Sequence, residues 1–481
     1  MKEKLKKLIP CFIVTGISLG LGAVFAASVL STGFLTLLVS IIIIGVIVLL
    51  NALVFWLTLD FERVIRFALG CILAFVLIIG ETVGFYFVKV GVDALNKITT
   101  PSVEYAEMGV YVRVKDPATS LEDIRYYQFG ALEKLDESAT NLAIKDITKE
   151  LNAKISVTNF DDVGALLDSL IKDKTTSAII LNKSFIDILE ETEGHQKDSE
   201  KIRELYTIVI EQDFADGHIA PQLKETFTMY ISGIDCRGSI TRKSRSDVNI
   251  IATVNIKTGQ VLLVSTPRDY YVPLSISNGV PDKLTHAGIY GINVSRETLS
   301  MLYDTPIDYY FRVNFDGFEE IIDALGGVDV VSNYTFNSDN YKFVKGVNTL
   351  NGKQALEFSR ERYKIPTGDR GRGENQMAVI KAVIAKTASR AMVKNYKQVM
   401  DSLAGSFETN MPFAAIAELV QNQLENNPKW NVTTYSVNGT GTSGPLYSVS
   451  GYAYIMKPDQ KTVEHAKELI GQVKKGEVPK P

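Results

Sequence analysis

The sequence has little of what builds metal centres or disulfide frameworks: four histidines and three cysteines in 481 residues. His195, His218, His286 and His465 form no HExxH pair, so a histidine zinc site of that kind is excluded. Cys11 and Cys71 lie in apolar runs and Cys236 stands alone, which leaves no CxxC motif and no disulfide framework. No GxxxxGKS/T loop is present, so ATP hydrolysis through a P-loop has no support. No GxSxG nucleophile elbow is present either. The net charge is −4, so no global field draws the chain to nucleic acid, and a basic function must rest on a local cluster.

Apolar residues are plentiful, at 46%, and they gather near the start. Ile9–Leu30, Phe34–Leu57 and Phe67–Val88 each match the ~20 apolar residues a membrane-crossing helix needs. The start carries Lys2, Lys4, Lys6 and Lys7, but a cleaved signal is not expected. The first run is too long, no small-residue cleavage site follows, and two more runs come directly after. Arg63 and Arg66 lie between the second and third runs, whereas Ser31-Thr32-Gly33 is uncharged. The positive-inside rule then places the N-terminus and the 59–66 loop in the cytoplasm and everything after about residue 90 outside, on a multi-pass cell-membrane protein. An exterior without disulfides suits a Gram-positive bacterium. Within the runs, Gly16-x-x-x-Gly20 is either a helix-packing face or chance. Glu81 faces protein or water, or reaches the interface.

After the apolar part, residues 98–225 alternate strand-like and helix-like stretches: Glu104–Val114, Ala139–Leu151, Asp161–Ile171 and Ser177–Leu181. That alternation predicts a small α/β accessory domain. A larger domain is expected over 226–390. Asp247–Ile256 and Gln260–Thr266 read as strands joined at Thr258-Gly259, and Tyr309–Phe315 as another. Asp316–Leu325 reads as a helix capped by Asp316 and ended by Gly326-Gly327. Helices are expected at Gly352–Arg362 and Asn375–Lys386, giving a mixed sheet with helices packed on it. Residues 391–481 form a C-terminal extension that packs on this domain, with a strand at Trp430–Val437, a glycine-rich stretch at Asn438–Gly444 and a helix at Thr462–Lys474.

The chemistry concentrates in Ser359–Gln376, SRERYKIPTGDRGRGENQ. Arg360, Arg362, Lys364, Arg370 and Arg372 are interleaved with Pro366, Gly368, Gly371 and Gly373. Arginine forks bind phosphate oxygens in pairs, and glycines let backbone turn closely around a ligand. Anion binding stands here against a solvated loop. Arg245 and Arg268 lie at the ends of the two hairpin strands, with an anion or the carboxylates of Asp247 and Asp269 expected between them. On the view that these cations crowd an empty site, Arg268→Ala is expected to leave stability unchanged or raise it. Asp235 and Asp247 flank the same edge, where they either hold a hard cation or cap turns.

These residues carry a resemblance. From about Phe227 to Lys386 the chain resembles the LytR-CpsA-Psr family of cell-wall proteins, through ISGIDCRG, SRSDVNIIATVNIKTGQVLLVSTPRDYYVPL, KLTHAGIYG, PIDYYFRVNFDGFEEIIDALGGVDV, LNGKQAL and SRERYKIPTGDRGRGENQ. The three apolar runs and the accessory segment resemble its streptococcal capsule-associated branch. The resemblance implies an α-β-α sandwich with a mixed central sheet. It implies a phosphotransferase that moves a glycopolymer, here capsular polysaccharide, from undecaprenyl pyrophosphate to peptidoglycan outside the membrane. The alternatives are a polyprenyl-phosphate or -pyrophosphate hydrolase and a non-enzymatic membrane regulator of capsule synthesis. Capsule-synthesis proteins are candidate partners, and nucleic acid is not. By motif, Asp235 and Asp247 are expected to hold Mg²⁺, and Arg245, Arg268, Lys283, Arg360, Arg362, Arg372 and Gln376 to surround the pyrophosphate. Asp247, the five arginines and Gln376 are the expected catalytic set. Two departures touch fine contacts: KLTHAGIYG stands where the family commonly has KINAAYAYG, and Asn375 where many members have arginine.

Overall fold

The computed structural model describes residues 2–59, 63–99, 103–213, 223–234, 236–389, 394–403 and 405–481, with side chains from residue 9 on. Asp235, one of the two expected metal ligands, lies outside the described residues.

Three helices, α1 (Lys2–Thr32), α2 (Leu37–Thr58) and α3 (Val64–Thr99), are long and apolar enough to cross a membrane. Their contacts run through small residues other than the expected pair. A side chain at Gly16 or Gly20 would meet nothing within 4 Å, so that motif is not a packing face in this bundle. Gly22 instead abuts Glu81 and Ile47, Gly70 abuts Thr58, and Gly84 abuts Phe25. Glu81 is buried among the helices rather than reaching an interface.

The accessory segment forms a five-stranded sheet from β1 (Val103–Arg113), β2 (Gln128–Leu132), β3 (Ser156–Phe160), β4 (Ala178–Asn182) and β5 (Ile202–Asp213), in the order β3-β2-β4-β1-β5. It carries α4 (Glu137–Glu150), α5 (Val163–Ile171) and α6 (Ser184–Glu191). Asp162 starts α5 by accepting from the amides of Gly164 and Ala165 at 2.8 and 3.1 Å.

The larger sheet contains β6 (Thr226–Ile234), β7 (Ser246–Asn255) and β8 (Gln260–Ser265), joined antiparallel. β11 (Tyr309–Val313) lies parallel to β6, and β17 (Asn431–Ser436) parallel to β8. With β16 (Phe407–Thr409) the order is β16-β11-β6-β7-β8-β17. Its central strands β7 and β8 carry runs of buried residues, as their apolar, β-branched sequences favour. Ile251, Leu262 and Val264 pack against α7 (Ile292–Tyr303) and α13 (Gln460–Lys474). Ile250, Val261 and Leu263 pack against Met377 and Ile380 of α10 (Gly368–Thr387). The result is the expected α-β-α sandwich. Both edge strands, β16 and β17, come from beyond residue 390.

Short strands β9 (Tyr271–Pro273) and β10 (Pro281–Lys283) form a small pair beside this sheet. Beyond α8 (Phe315–Ala324), β12 (Val328–Ser332) pairs with β15 (Gly346–Leu350), and β13 (Phe336–Asn337) with β14 (Lys342–Phe343). α9 (Gly352–Arg360), α11 (Tyr396–Leu403) and α12 (Phe413–Asn426) complete the helices. β18 (Gly439–Pro445) and β19 (Tyr452–Pro458) form an antiparallel hairpin.

Two local expectations are corrected, and the glycine-rich stretch takes a definite form. Asn314, not Asp316, caps α8, accepting from Gly317 N at 2.8 Å, while Asp316 in the first turn binds Arg237 and Gly238 N. The glycine-rich stretch lies in β18, whose residues Gly439 to Pro445 pair in register with Pro458 to Tyr452 of β19. The arginine-rich segment is helical from Gly368 rather than from Asn375.

Candidate functional site

The hairpin β7–β8 brings the expected residues together. Arg245 precedes β7, Asp247 is its second residue, and Arg268 follows β8. Arg268 is buried, and its Nη1 donates to both oxygens of Asp247, at 2.8 and 2.7 Å. Its Nη2 lies 3.1 Å from Glu191 Oε1. Arg245 Nη1 reaches the same oxygen at 2.8 Å, and Lys283 Nζ donates to Glu191 Oε2 at 2.5 Å. A single carboxylate from α6 therefore joins three of the expected phosphate-binding cations. Burial opposes its ionisation, but Lys283, Arg268 and Arg245 override that and hold the Glu191 carboxyl at about 2. Burial likewise disfavours the Arg268 charge, and the carboxylates of Asp247, Asp269 and Glu191 outweigh it.

The other arginines enter from α9 and α10. Arg360, the last residue of α9, stacks on Phe315 with 4.5 Å from guanidinium carbon to ring centre. Arg362 stacks on Tyr363 at 4.6 Å. Arg372 is buried on α10 and pairs with Asp369 one turn earlier. Gln376 Nε2 donates to Ser359 O at 3.4 Å, fixing α10 to the end of α9. Gly373 lets α10 come close: a Cβ there would sit 2.5 Å from Ser265 Oγ. Gly373 thus serves helix–sheet packing, whereas Gly371 makes room for Thr367 and Ile365 of its own segment. Arg370 points elsewhere, half-exposed and 3.4 Å from Glu374.

Arg245, Asp247, Arg268, Arg360, Arg362, Arg372 and Gln376 all line one cavity of about 1340 Å³. The lining also includes an apolar part, with Ile231, Phe311, Phe318, Val383, Met400 and Leu403, and further charged groups at Arg237, Glu319, Lys353 and Glu357. Met400 and Leu403 belong to α11, whose Val399 and Met400 also pack with Ala94 of α3. The cavity therefore runs from the arginines to within one helix of the third apolar span. A charged mouth on an apolar body suits an amphiphile with an anionic head.

The match to known proteins agrees with this geometry. The family model described as the LytR_cpsA_psr family matches residues 184–470. The chain belongs to that family. The polyisoprenyl-teichoic acid–peptidoglycan teichoic acid transferase TagU of Bacillus subtilis (strain 168) is 32% identical over 261 residues, which are 54% of this chain and 82% of the relative. The TagU of Enterococcus faecalis (strain ATCC 700802 / V583) is 33% identical over 252 residues, 52% of this chain and 80% of the relative. The crystal structure of B. subtilis TagV aligns at a TM-score of 0.44 and 27% identity, covering 53% of this chain and all of that one.

Two residues in this LytR-CpsA-Psr site had escaped the sequence reading. Glu191 lies in a segment where no motif was found, 54, 77 and 92 residues from its three partners, and its acidic helix end gave no signal. Asp369 sits inside the arginine segment and was passed over among the cations. Burial pushes its carboxyl above the ordinary aspartate range, against the pull of Arg372. Lys283 is buried and is held by Glu191, and more loosely by Asp269 at 3.6 Å. For a metal, Asp247 offers hard carboxylate oxygens at the site, but both already accept from Arg268, and Oδ1 also lies 3.4 Å from Thr285 Oγ1. Ion binding there requires the Arg268 pairing to loosen.

Proposed function

We propose that this protein transfers a glycopolymer from undecaprenyl pyrophosphate to peptidoglycan on the outer side of the membrane. The observation that carries the reading is the single cavity whose arginine end opens into an apolar body ending beside α3. The prenyl chain would fill the apolar body, at ~0.8 kcal/mol for each buried CH₂. Arg245, Arg268, Lys283, Arg360, Arg362, Arg372 and Gln376 would hold the diphosphate. Their charges stabilise the negative charge that builds on the leaving group, and they orient the glycan-side phosphorus for attack. An acceptor hydroxyl forms the new O–P bond, the bridging P–O bond breaks with its electrons going to undecaprenyl phosphate, and the hydroxyl proton passes to solvent. Its energy resides in the pyrophosphate bond, so no ATP is needed. Asp247, with Asp235, would hold Mg²⁺, which when bound supplies further neutralisation of the diphosphate. Glu191 is unsuited to accept the proton, since three cations keep it a weak base.

The TagU relatives are named for the same class of reaction with teichoic acid. Capsular polysaccharide is our choice of polymer, from the pairing of three apolar helices with an accessory domain. The test is product analysis with the full chain in detergent, lipid-linked capsular oligosaccharide and peptidoglycan. Expected products are oligosaccharide-phosphate on peptidoglycan and undecaprenyl phosphate, lost in chelator and restored by Mg²⁺. Release of free oligosaccharide phosphate alone would make it a hydrolase. No turnover, with capsule attachment in cells unaffected by Arg268→Ala, would leave a regulator.

A further inference from the structure

We propose that Glu191 is a resident counter-anion of the phosphate site, which a ligand must displace and which therefore sets how much negative charge a ligand needs. This rests on the reading that the arginine end holds a lipid diphosphate. The geometry imitates a bound phosphate. One oxygen of Glu191 takes Arg245 and Arg268, and the other takes Lys283. Both terminal nitrogens of Arg268 are engaged by carboxylates, Nη1 by Asp247 and Nη2 by Glu191. A phosphate that takes the terminal nitrogens in paired geometry must therefore compete with a carboxylate for them. Asp247 is set in β7 and held from both sides by Arg268 and Thr285. Glu191 ends a helix, lines the cavity and is a third exposed, so a rotamer change can carry it into solvent. Arg360 and Arg362, stacked on rings and in no ion pair with a carboxylate among the described residues, offer the first contacts.

The exchange has a charge threshold. A singly charged ligand that replaces Glu191 gains little, since one monoanion substitutes for another. A ligand with two or more charges gains the difference. The carboxylate would thus favour a phosphate or diphosphate carrying about two charges over a monoanion such as a phosphodiester or a lone carboxylate, and would keep the three cations spaced while the site is empty. The opposing possibility is that Glu191 only positions Arg245, Arg268 and Lys283. These differ in sign: removing a competitor tightens binding, and removing a support weakens it.

The experiment uses the full chain in detergent, with inorganic phosphate and inorganic pyrophosphate as probes. Glu191→Gln keeps the shape without the charge, and Glu191→Asp keeps the charge but withdraws it. We expect Glu191→Gln to raise phosphate affinity by about tenfold or more, the scale of one charged hydrogen bond, and pyrophosphate affinity by a smaller factor. Glu191→Asp should give a smaller gain of the same sign. Each variant is read as the anion-induced rise in Tm above its own ligand-free value, so a lower starting stability does not obscure the result. Unchanged or weaker binding in both variants overturns the proposal. Product analysis scores the transfer reaction separately. A chain that makes no product but binds phosphate more tightly as Glu191→Gln upholds this inference and refutes the transferase reading, and the converse pattern does the reverse.

Discussion

Arg268 meets three carboxylates: Asp247 at 2.7 Å, Glu191 at 3.1 Å and Asp269 at 3.7 Å. It is also one of the most buried charged groups of the site. The crowding of like charges that would make its removal harmless is absent, because Arg245, Arg268, Lys283 and Arg372 each already meet a carboxylate. Arg268→Ala should therefore destabilise the protein, by ~3 kcal/mol as for one partner lost from a buried pair, and weaken lipid-phosphate binding at least about tenfold. Arg268→Lys keeps charge without the fork and should fall between. Chemical denaturation and lipid-phosphate binding on the same variants check both effects. Glu191 gives a pH signature. Its carboxyl is depressed from 4.5 to about 2 in the folded chain. Its contribution to stability is therefore full above about pH 4.5 and is lost as pH falls through about 2. The stability difference between wild type and Glu191→Gln should be constant near neutrality and shrink towards pH 2, as followed by denaturant midpoints across the acid range.

At the scale of elements, the short segment from Lys283 to Gly291 positions the charged end. Gly288 lies under the chain that carries Arg245: a Cβ there would sit 2.4 Å from Ser244 O and 2.9 Å from Ser246 N. Since these are backbone atoms, Gly288→Ala must push the segment that leads into Asp247. It should cost ~1–3 kcal/mol, as overpacking does, and weaken phosphate binding, measurable by thermal melts and titration. Strands such as β7, β8 and β11 were legible in the sequence because apolar, β-branched runs between turn residues have few other uses. The start of α10 was not. Gly368, Gly371 and Gly373 signal a loop locally, and only the fit of Gly373 against Ser265 explains a helix there. β18 was hidden for the same reason, since its pairing with β19 is a tertiary fact. Of the site, the arginines were legible through their clustering, whereas Glu191 was not, because its role exists only once α6 meets the larger sheet.

Across the whole molecule, one buried ion network ties the parts together. Arg312 of β11 binds Glu104 of β1 at 2.8 Å and Glu408 of β16 at 2.5 Å, and Tyr310 donates to Glu408 at 2.7 Å. Glu104→Ala strips one partner from a fully buried guanidinium and should destabilise by ~3 kcal/mol or more, read by thermal melting of the full chain. Orientation has its own test. Tyr126 is 92% exposed, and Tyr126→Cys should react with an impermeant thiol reagent in intact cells if the part beyond residue 90 is outside. Labelling only after lysis would reverse the topology.

α3 spans 36 residues, and its outer turns pack into the folded part. Ala94, Leu95 and Ile98 are buried against α11, β16 and their neighbours. At 1.5 Å per residue the helix is ~54 Å long against a hydrocarbon core of ~30 Å. On the proposed orientation this makes it a stilt of set height. The site cannot swing outward to search the wall, as a domain on a flexible linker could. On that reading, acceptors would be limited to glycan strands passing within that fixed storey above the bilayer.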